Sequence, residues 1–386
     1  MKTYRIAVLG CRGRGTAAAR AYAAHPRTEI VALCDLVPEL RDTLGDELGV
    51  EARYDDLDRM IAETRPDIVA IPTGTEYHYP LAARVLEHGC HIDVEKPICT
   101  SLEEADDLIA RASARGLRIA VHHQSRTGRS LRAVTAAVAA GKIGEIRHVQ
   151  ASCKGYYAGY GMMNIGTHIL NNFMALLGPC RAATGIALTG GRPSRPEDVV
   201  VAPGGMGIVV GERLTGILEY DGGVTATTLF HRFPKVDNEA YGFEILGTEG
   251  RLFWKIRGLW SLPAAHFVPN GEADQWETVP ITPLPQFAEV VGADPDEMAY
   301  VDDYVQALDA GRPPQCSGEA GRHAVEINFA LFEAAAYGKR VSLPQQDRSH
   351  PLLRWRTEHG LPAPEPGPRD YREWLAAEDA RIANRG

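Results

Sequence analysis

Three places in the sequence carry residue types that chemistry needs. The first is the run Gly10, Cys11, Arg12, Gly13, Arg14, Gly15, which follows the apolar stretch YRIAVL and precedes an alanine-rich segment. Glycines at a strand-to-helix turn let backbone N–H groups approach a pyrophosphate. A carboxylate about twenty residues on, here Asp35, can take ribose hydroxyls. The second is Lys96, in VEKP at the end of HIDVE, where a lysine either holds a substrate oxygen or pairs with Glu95. The third is MMNIGTHILNNF, a helical pattern with one histidine, His168, and asparagines at 164, 171 and 172.

The spacing GxxGxG also suits a plain tight turn with Asp35 capping a helix, so the surrounding elements carry the argument. Strands at 4–9 and 29–35 are followed by helices near 38–48 and 56–64. A strand at 67–73, a helix near 76–88, a strand at 91–95, a helix near 102–114 and a strand at 118–123 complete the series. Strands alternating with helices of this length predict right-handed crossovers and a doubly wound parallel sheet, the setting a dinucleotide turn requires. Asp35 would repel a 2′-phosphate, and Leu36, Val37 and Pro38 supply no base to receive one, so NAD is expected over NADP. Arg12 and Arg14 are expected near the pyrophosphate.

At 386 residues the chain exceeds what one core holds, so two domains are expected. A net charge of -9 argues against nucleic acid and anionic membranes as partners. No apolar run reaches the length of a signal-peptide core or a membrane span, which predicts a soluble, cytoplasmic protein. The seven cysteines are scattered without a CxxC pair and read as small buried residues, with neither a disulfide framework nor a metal site suggested.

With IPTGTEYHYPLAARVLEHG leading into HIDVEKPICTSLEEADDLI, the sequence resembles the Gfo/Idh/MocA family of sugar and polyol oxidoreductases. The resemblance runs from the glycine turn to about residue 345. It implies an α/β protein: a Rossmann domain, then a second α/β domain with a large, mostly antiparallel, open-faced sheet. It further implies that Lys96 lies in the active site beside the nicotinamide, that the Lys96–Pro97 peptide is cis, and that Pro72, Thr73 and His78 belong to a cofactor loop. Glu95 and the glycine-loop residues join the cofactor-binding set, and Gln124 and Arg126 are candidates to bridge cofactor and substrate. The family's histidine motif usually places an aspartate four residues before the base; here Gly166, Thr167 and His168 match, but Asn164 and Asn171 stand where acids are expected. His168 is thus either the catalytic base or a neighbouring substrate-binding histidine. The implied reaction is NAD-dependent oxidation of a secondary hydroxyl of a sugar, sugar derivative or polyol, for which Lys96 and His168 should converge on one carbinol. A redox-neutral NAD-dependent glycosidase is the alternative, and a non-catalytic dinucleotide sensor the third reading. The family also favours dimers or tetramers.

The expected organisation is a dinucleotide-binding domain over 1–124, a substrate-binding domain over 125–345, and an arm over 346–386, read as reaching a neighbouring subunit. In the second domain IRHVQASCKGYY alternates as a strand. Hairpins are expected about Asp221–Gly223 and Gly247–Gly250, with helices near 296–310 and 318–338 covering the sheet. A helix starting near Met163 would put Asn164, His168 and Asn171 on one polar stripe. Lys154, Tyr156, Tyr157 and Tyr160 just precede it, and with Asn164 and Thr167 are candidates to hold a sugar, by stacking in the case of the tyrosines.

Overall fold

The computed structural model describes residues 2–265 and 275–384. Its contacts divide the chain into two compact units: residues 1–99, 103–129 and 282–322, and residues 100–102, 130–281 and 323–386.

In the first unit six strands form a parallel sheet in the order β3-β2-β1-β4-β5-β6. They are β1 (Tyr4–Leu9), β2 (Thr28–Cys34), β3 (Arg53–Tyr54), β4 (Ile68–Ile71), β5 (His91–Val94) and β6 (Ile119–Val121). Their continuous apolar runs follow from burial on both faces: Ile6, Val8, Ile68, Ile71, Ile92, Val94 and Val121 are all fully enclosed. The strand order turns back on itself at β1, which pairs with both β2 and β4. In open α/β sheets that reversal leaves a crevice beyond the carboxyl ends of the strands.

The helix Pro295–Asp309, expected to cover the second sheet, belongs instead to this first unit. Its buried tyrosines decide the matter. The Tyr300 hydroxyl donates to Asp93 at 2.6 Å and the Tyr304 hydroxyl to the Ile92 carbonyl at 2.8 Å, both on β5.

The second unit is built on a ten-stranded sheet that is antiparallel except where Ile146–Ser152 runs parallel to Thr225–His231. Both expected hairpins are present, Arg213–Glu219 with Thr225–His231 and Gly242–Gly247 with Arg251–Lys255. Burial alternates residue by residue along Thr225–His231, the signature of a sheet packed on one face only. The later part of the helix Gly318–Tyr337 supplies the cover. Leu331 presses onto the sheet at Gly185 and Gly216, where any β-carbon would lie 3.0 Å from the Leu331 carbonyl oxygen or 2.6 Å from its side chain. On the sheet, Ile186 and Ile217 are exposed.

The C-terminal segment is seated on its own unit. Trp374 of the helix Tyr371–Ala383 is 2 % exposed, and its indole N–H donates to the Val201 carbonyl at 2.8 Å. Arg356 donates to the Pro196 carbonyl at 3.0 Å, and Asp370 caps the last helix through the N–H groups of Arg372 and Glu373. All seven cysteines are buried free thiols.

Candidate functional site

In the first unit the glycine turn does what its residues require. Gly10 has φ 113°, a region that favours glycine, and a β-carbon on Gly15 would fall 1.9 Å from the Gly10 carbonyl oxygen. The helix Arg14–Ala24 therefore starts against the end of β1. Beside it opens a cavity of about 780 Å³ lined by Gly10, Arg12, Arg14, Asp35, Pro72 and Thr73. Sequence reasoning missed its apolar walls, Leu36, Val37, Tyr77 and Leu81. The available signal was the pair Leu36 and Val37, large apolar residues directly after a strand end, which are 83 % and 44 % exposed.

Asp35 is held in place by two backbone donors, the Cys11 N–H at 2.7 Å and the Val37 N–H at 2.9 Å. A carboxylate so fixed at the end of β2, beside apolar walls and a helix start, fits the ribose, adenine and diphosphate of a dinucleotide. Three expected cofactor contacts sit elsewhere. Cys11 turns its side chain inward, where burial and Asp35 push its thiol up to about 12, so it contributes a backbone N–H and no reactive sulfur. His78 is fully buried, its ring 2.8 Å from the Pro97 carbonyl and 3.2 Å from that of Thr73, and burial lowers its pKa. It braces the loops after β4 and β5 rather than lining the cavity. Glu95 is buried and accepts from Arg14 at 2.7 Å, while its other oxygen takes the Lys96 N–H at 3.2 Å. Gln124 and Arg126 stand in a short turn after β6, both half-buried.

Lys96 is half-buried just beyond β5, and the Lys96–Pro97 peptide is cis. Behind it runs an ion chain that the sequence did not announce. Arg14 bridges Glu95 and, at 2.9 Å, Glu297; Glu297 meets His122 at 2.6 Å; His122 faces Asp93 at 3.3 Å. Asp93 also accepts from Tyr22 at 2.8 Å and Tyr300 at 2.6 Å. Burial alone would push His122 down, but Asp93 and Glu297 outweigh it and raise the imidazole to about 10. Burial would likewise raise Glu297, yet His122 and Arg14 hold it at about 2. His122 and Glu297 thus hold opposite charges, each compensated by its neighbour.

In the second unit the histidine helix departs from the regular one expected. A turn at Ala158–Gly161 leads into a π-helical stretch, Met162–Gly166, before the α-helix Thr167–Leu177. Such π segments insert a residue into the helical ladder and recur at functional sites. Here the Met162 carbonyl accepts from the buried Asn328 amide at 3.0 Å. The inserted turn breaks the expected polar stripe: Asn164 and His168 are half-buried, whereas Asn171 and Asn172 are wholly enclosed. Asn164 donates to the Tyr160 hydroxyl at 2.8 Å.

Two of the expected substrate contacts are structural. Thr167 is fully buried and its hydroxyl donates to the Asn164 carbonyl at 3.2 Å. Tyr157 is fully buried under the C-terminal helix, edge-on to Trp374 at 5.1 Å. Lys154 and Tyr156 are half-buried; the Lys154 ammonium lies 5.5 Å from the Tyr241 ring centroid, and Tyr156 lies edge-on to Tyr160 at 5.4 Å.

A parallel sheet of this strand order, a glycine turn entering a helix, and a fixed carboxylate at the end of β2 define a dinucleotide-binding α/β protein. The chain belongs to the Gfo/Idh/MocA oxidoreductase family: residues 4–123 match the oxidoreductase family with NAD-binding Rossmann fold, and residues 131–253 match the GFO/IDH/MocA C-terminal domain. D-glucoside 3-dehydrogenase of Escherichia coli K12 is 27 % identical over 45 % of this chain and 54 % of its own length. A glycosyl hydrolase family 109 protein of Akkermansia muciniphila is 29 % identical over 38 % of this chain and 33 % of its own. Among solved structures, an NAD-binding oxidoreductase from Klebsiella pneumoniae shares the fold with a TM-score of 0.73 at 20 % identity, covering 89 % of this chain and 100 % of that one. The chain spans about half the length of the first curated relatives it matches, 54 % and 42 %.

Proposed function

We propose that the protein is an NAD-dependent oxidoreductase acting on a secondary hydroxyl of a sugar, sugar derivative or polyol. The observation that carries this reading is the Asp35-anchored cavity at the glycine turn, together with a lysine just beyond the end of β5. NAD, when bound, supplies a two-electron acceptor. Arg12 and the N–H groups of the first helix hold its diphosphate, Asp35 its adenosine ribose, and Leu36, Val37 and Tyr77 the adenine face. Lys96 donates a hydrogen bond to the reacting oxygen and stabilises the charge that develops there. His168 takes the hydroxyl proton as the C–H bond gives up its hydride, so the carbinol leaves as a ketone. Glu95, held by Arg14, fixes the peptide that presents Lys96.

The Asp35→Ala variant should bind NAD about 10- to 100-fold more weakly, the size expected for a lost charged hydrogen bond. Titration calorimetry with NAD checks this, and unchanged affinity would remove Asp35 from the site.

A second reading, a redox-neutral NAD-dependent glycosidase, draws on the similarity to a glycosyl hydrolase family 109 protein and on Asn164, an amide where a carboxylate is expected. In that cycle oxidation to a ketone acidifies the adjacent C–H, the aglycone is eliminated, water adds, and the ketone is reduced. Incubation with NAD and a panel of free sugars, polyols and glycosides separates the two. Stoichiometric NADH supports the dehydrogenase, and released sugar without net NADH supports the glycosidase.

The same reading makes the protein cytoplasmic, as its seven free buried thiols fit a reducing compartment. It also makes it a homo-oligomer through the sheet that exposes Ile186 and Ile217.

A further inference from the structure

The cavity at the glycine turn continues past Asp35 to the edge of the sheet, where Asp55, Asp56, Leu57 and Arg84 join its lining. The strand order sets out what lies along it. The glycine turn follows β1, Asp35 follows β2, and Asp55 follows β3, the edge strand beside β2. Strands β2 and β3 run parallel with Cys34 opposite Tyr54, and the Asp35 N–H donates to the Tyr54 carbonyl at 3.1 Å. Asp55 therefore stands one residue beyond the group that steadies Asp35. Neighbouring strands lie about 4.8 Å apart, so the ends of β1 and β3 are separated by roughly 10 Å, about the reach of an adenosine. With the diphosphate at β1 and the ribose at β2, the base falls at β3.

The apolar walls Leu36, Val37 and Tyr77 can cover the faces of a base, but they do not read its edge. Three polar side chains at this end of the cavity could, and two are already taken. Asp56 caps the helix Leu57–Thr64, accepting the Arg59 N–H at 2.7 Å. Arg84 is paired with Asp58. Asp55 is exposed, and among the described residues no hydrogen bond or ion pair engages its carboxylate.

A carboxylate accepts hydrogen bonds and does not donate them. Adenine presents a donor, its 6-amino group, where hypoxanthine and guanine present an oxygen. We propose that Asp55 selects the base of the dinucleotide: its carboxylate accepts the adenine 6-amino group and disfavours a base with an oxygen at that position. The inference rests on the dinucleotide reading of this cavity, and it adds a residue that distinguishes one dinucleotide from another by the base alone.

The test is titration calorimetry of the full-length protein with NAD and with nicotinamide hypoxanthine dinucleotide, in the parent, Asp55→Ala and Asp55→Asn. The parent should bind NAD about tenfold more tightly than the hypoxanthine analogue, the size expected for one exposed hydrogen bond to a charged group. Asp55→Ala should lose about tenfold in NAD affinity and bind the two dinucleotides within about twofold of each other. Asp55→Asn can turn its amide to donate to the 6-oxygen, so it should bind the hypoxanthine analogue more tightly than the parent does. Equal affinity of the parent for both dinucleotides overturns the proposal. So does a loss in Asp55→Ala that falls on both by the same factor, since a purely structural aspartate would behave that way. A parent that binds neither dinucleotide overturns the cofactor reading and this assignment with it, whereas equal binding of both leaves the cofactor reading standing.

Discussion

For the proposed sugar oxidation, His168→Ala is expected to lower kcat/KM by about 10²- to 10⁴-fold, the range that loss of a positioned general base produces. The loss falls chiefly on kcat, because the proton moves only as the C–H bond breaks and substrate binding draws on other contacts. Lys96→Ala causes a loss of similar order for a different reason: the developing oxygen charge loses its donor. On the proposed reading, in which the two groups serve one carbinol, the double variant should lose little more than the worse single one, the behaviour of residues that act as a unit. Steady-state kinetics with NADH absorbance checks all three, and a product of the two single losses in the double variant would mean that they act on separate steps. Asn164→Asp adds a carboxylate one turn from His168, and a charge-assisted hydrogen bond of that kind moves the acid limb of the pH–rate profile upward.

The second large effect is on stability. Glu297→Ala removes the carboxylate that sits between Arg14 and His122, leaving a buried imidazolium beside a guanidinium. Breaking a buried ion pair from one side costs about 3–5 kcal/mol, more than the pair itself contributes, because the remaining charge is left uncompensated. A lowered urea midpoint with an unchanged slope is the expected observation. The pH dependence has a definite sign on each side. His122 is raised from its ordinary 6.5 to about 10, so its contribution is complete below pH 6.5 and is lost as pH rises toward 10. Glu297 is lowered from 4.5 to about 2, so its contribution is complete above pH 4.5 and is lost as pH falls toward 2. The chain therefore stabilises most between pH 4.5 and 6.5. In Glu297→Ala the alkaline loss should begin at lower pH, since His122 keeps only Asp93 to hold its proton. Denaturation midpoints at a series of pH values read this directly, and identical alkaline limbs in parent and variant would disprove the coupling.

The difference between these two sites mirrors what could be read in advance. The glycine turn and Asp35, which line the cavity, were legible because each is local: a turn or a strand end, with a residue type that few other roles require. The ion chain was not, since His122 and Glu297 are 175 residues apart and meet only when the helix Pro295–Asp309 packs in the first unit. Periodicity predicted that helix, but an amphipathic pattern carries no statement of which sheet it will cover. The same limit explains His78, Thr167 and Tyr157. Their polar atoms suggest a ligand when read alone, and only the folded chain reveals carbonyls, a helix turn and a covering arm around them.

The polar stripe about His168 failed for a more local reason. A period of 3.6 assumes unbroken α-helix, and the π turn at Met162–Gly166 rotates the helix beyond it, enclosing Asn171 while keeping Asn164 beside Tyr160. By itself, then, the sequence determined the alternating parallel sheet, the two hairpins and the dinucleotide turn, because backbone propensity and short-range spacing suffice for these. Tertiary structure alone decided which unit each late helix joined, which polar groups became ion partners, and where Trp374 came to rest. Those outcomes depend on the burial of surfaces far apart in the chain, where the desolvation of one charge or one ring is settled by whatever the fold places against it.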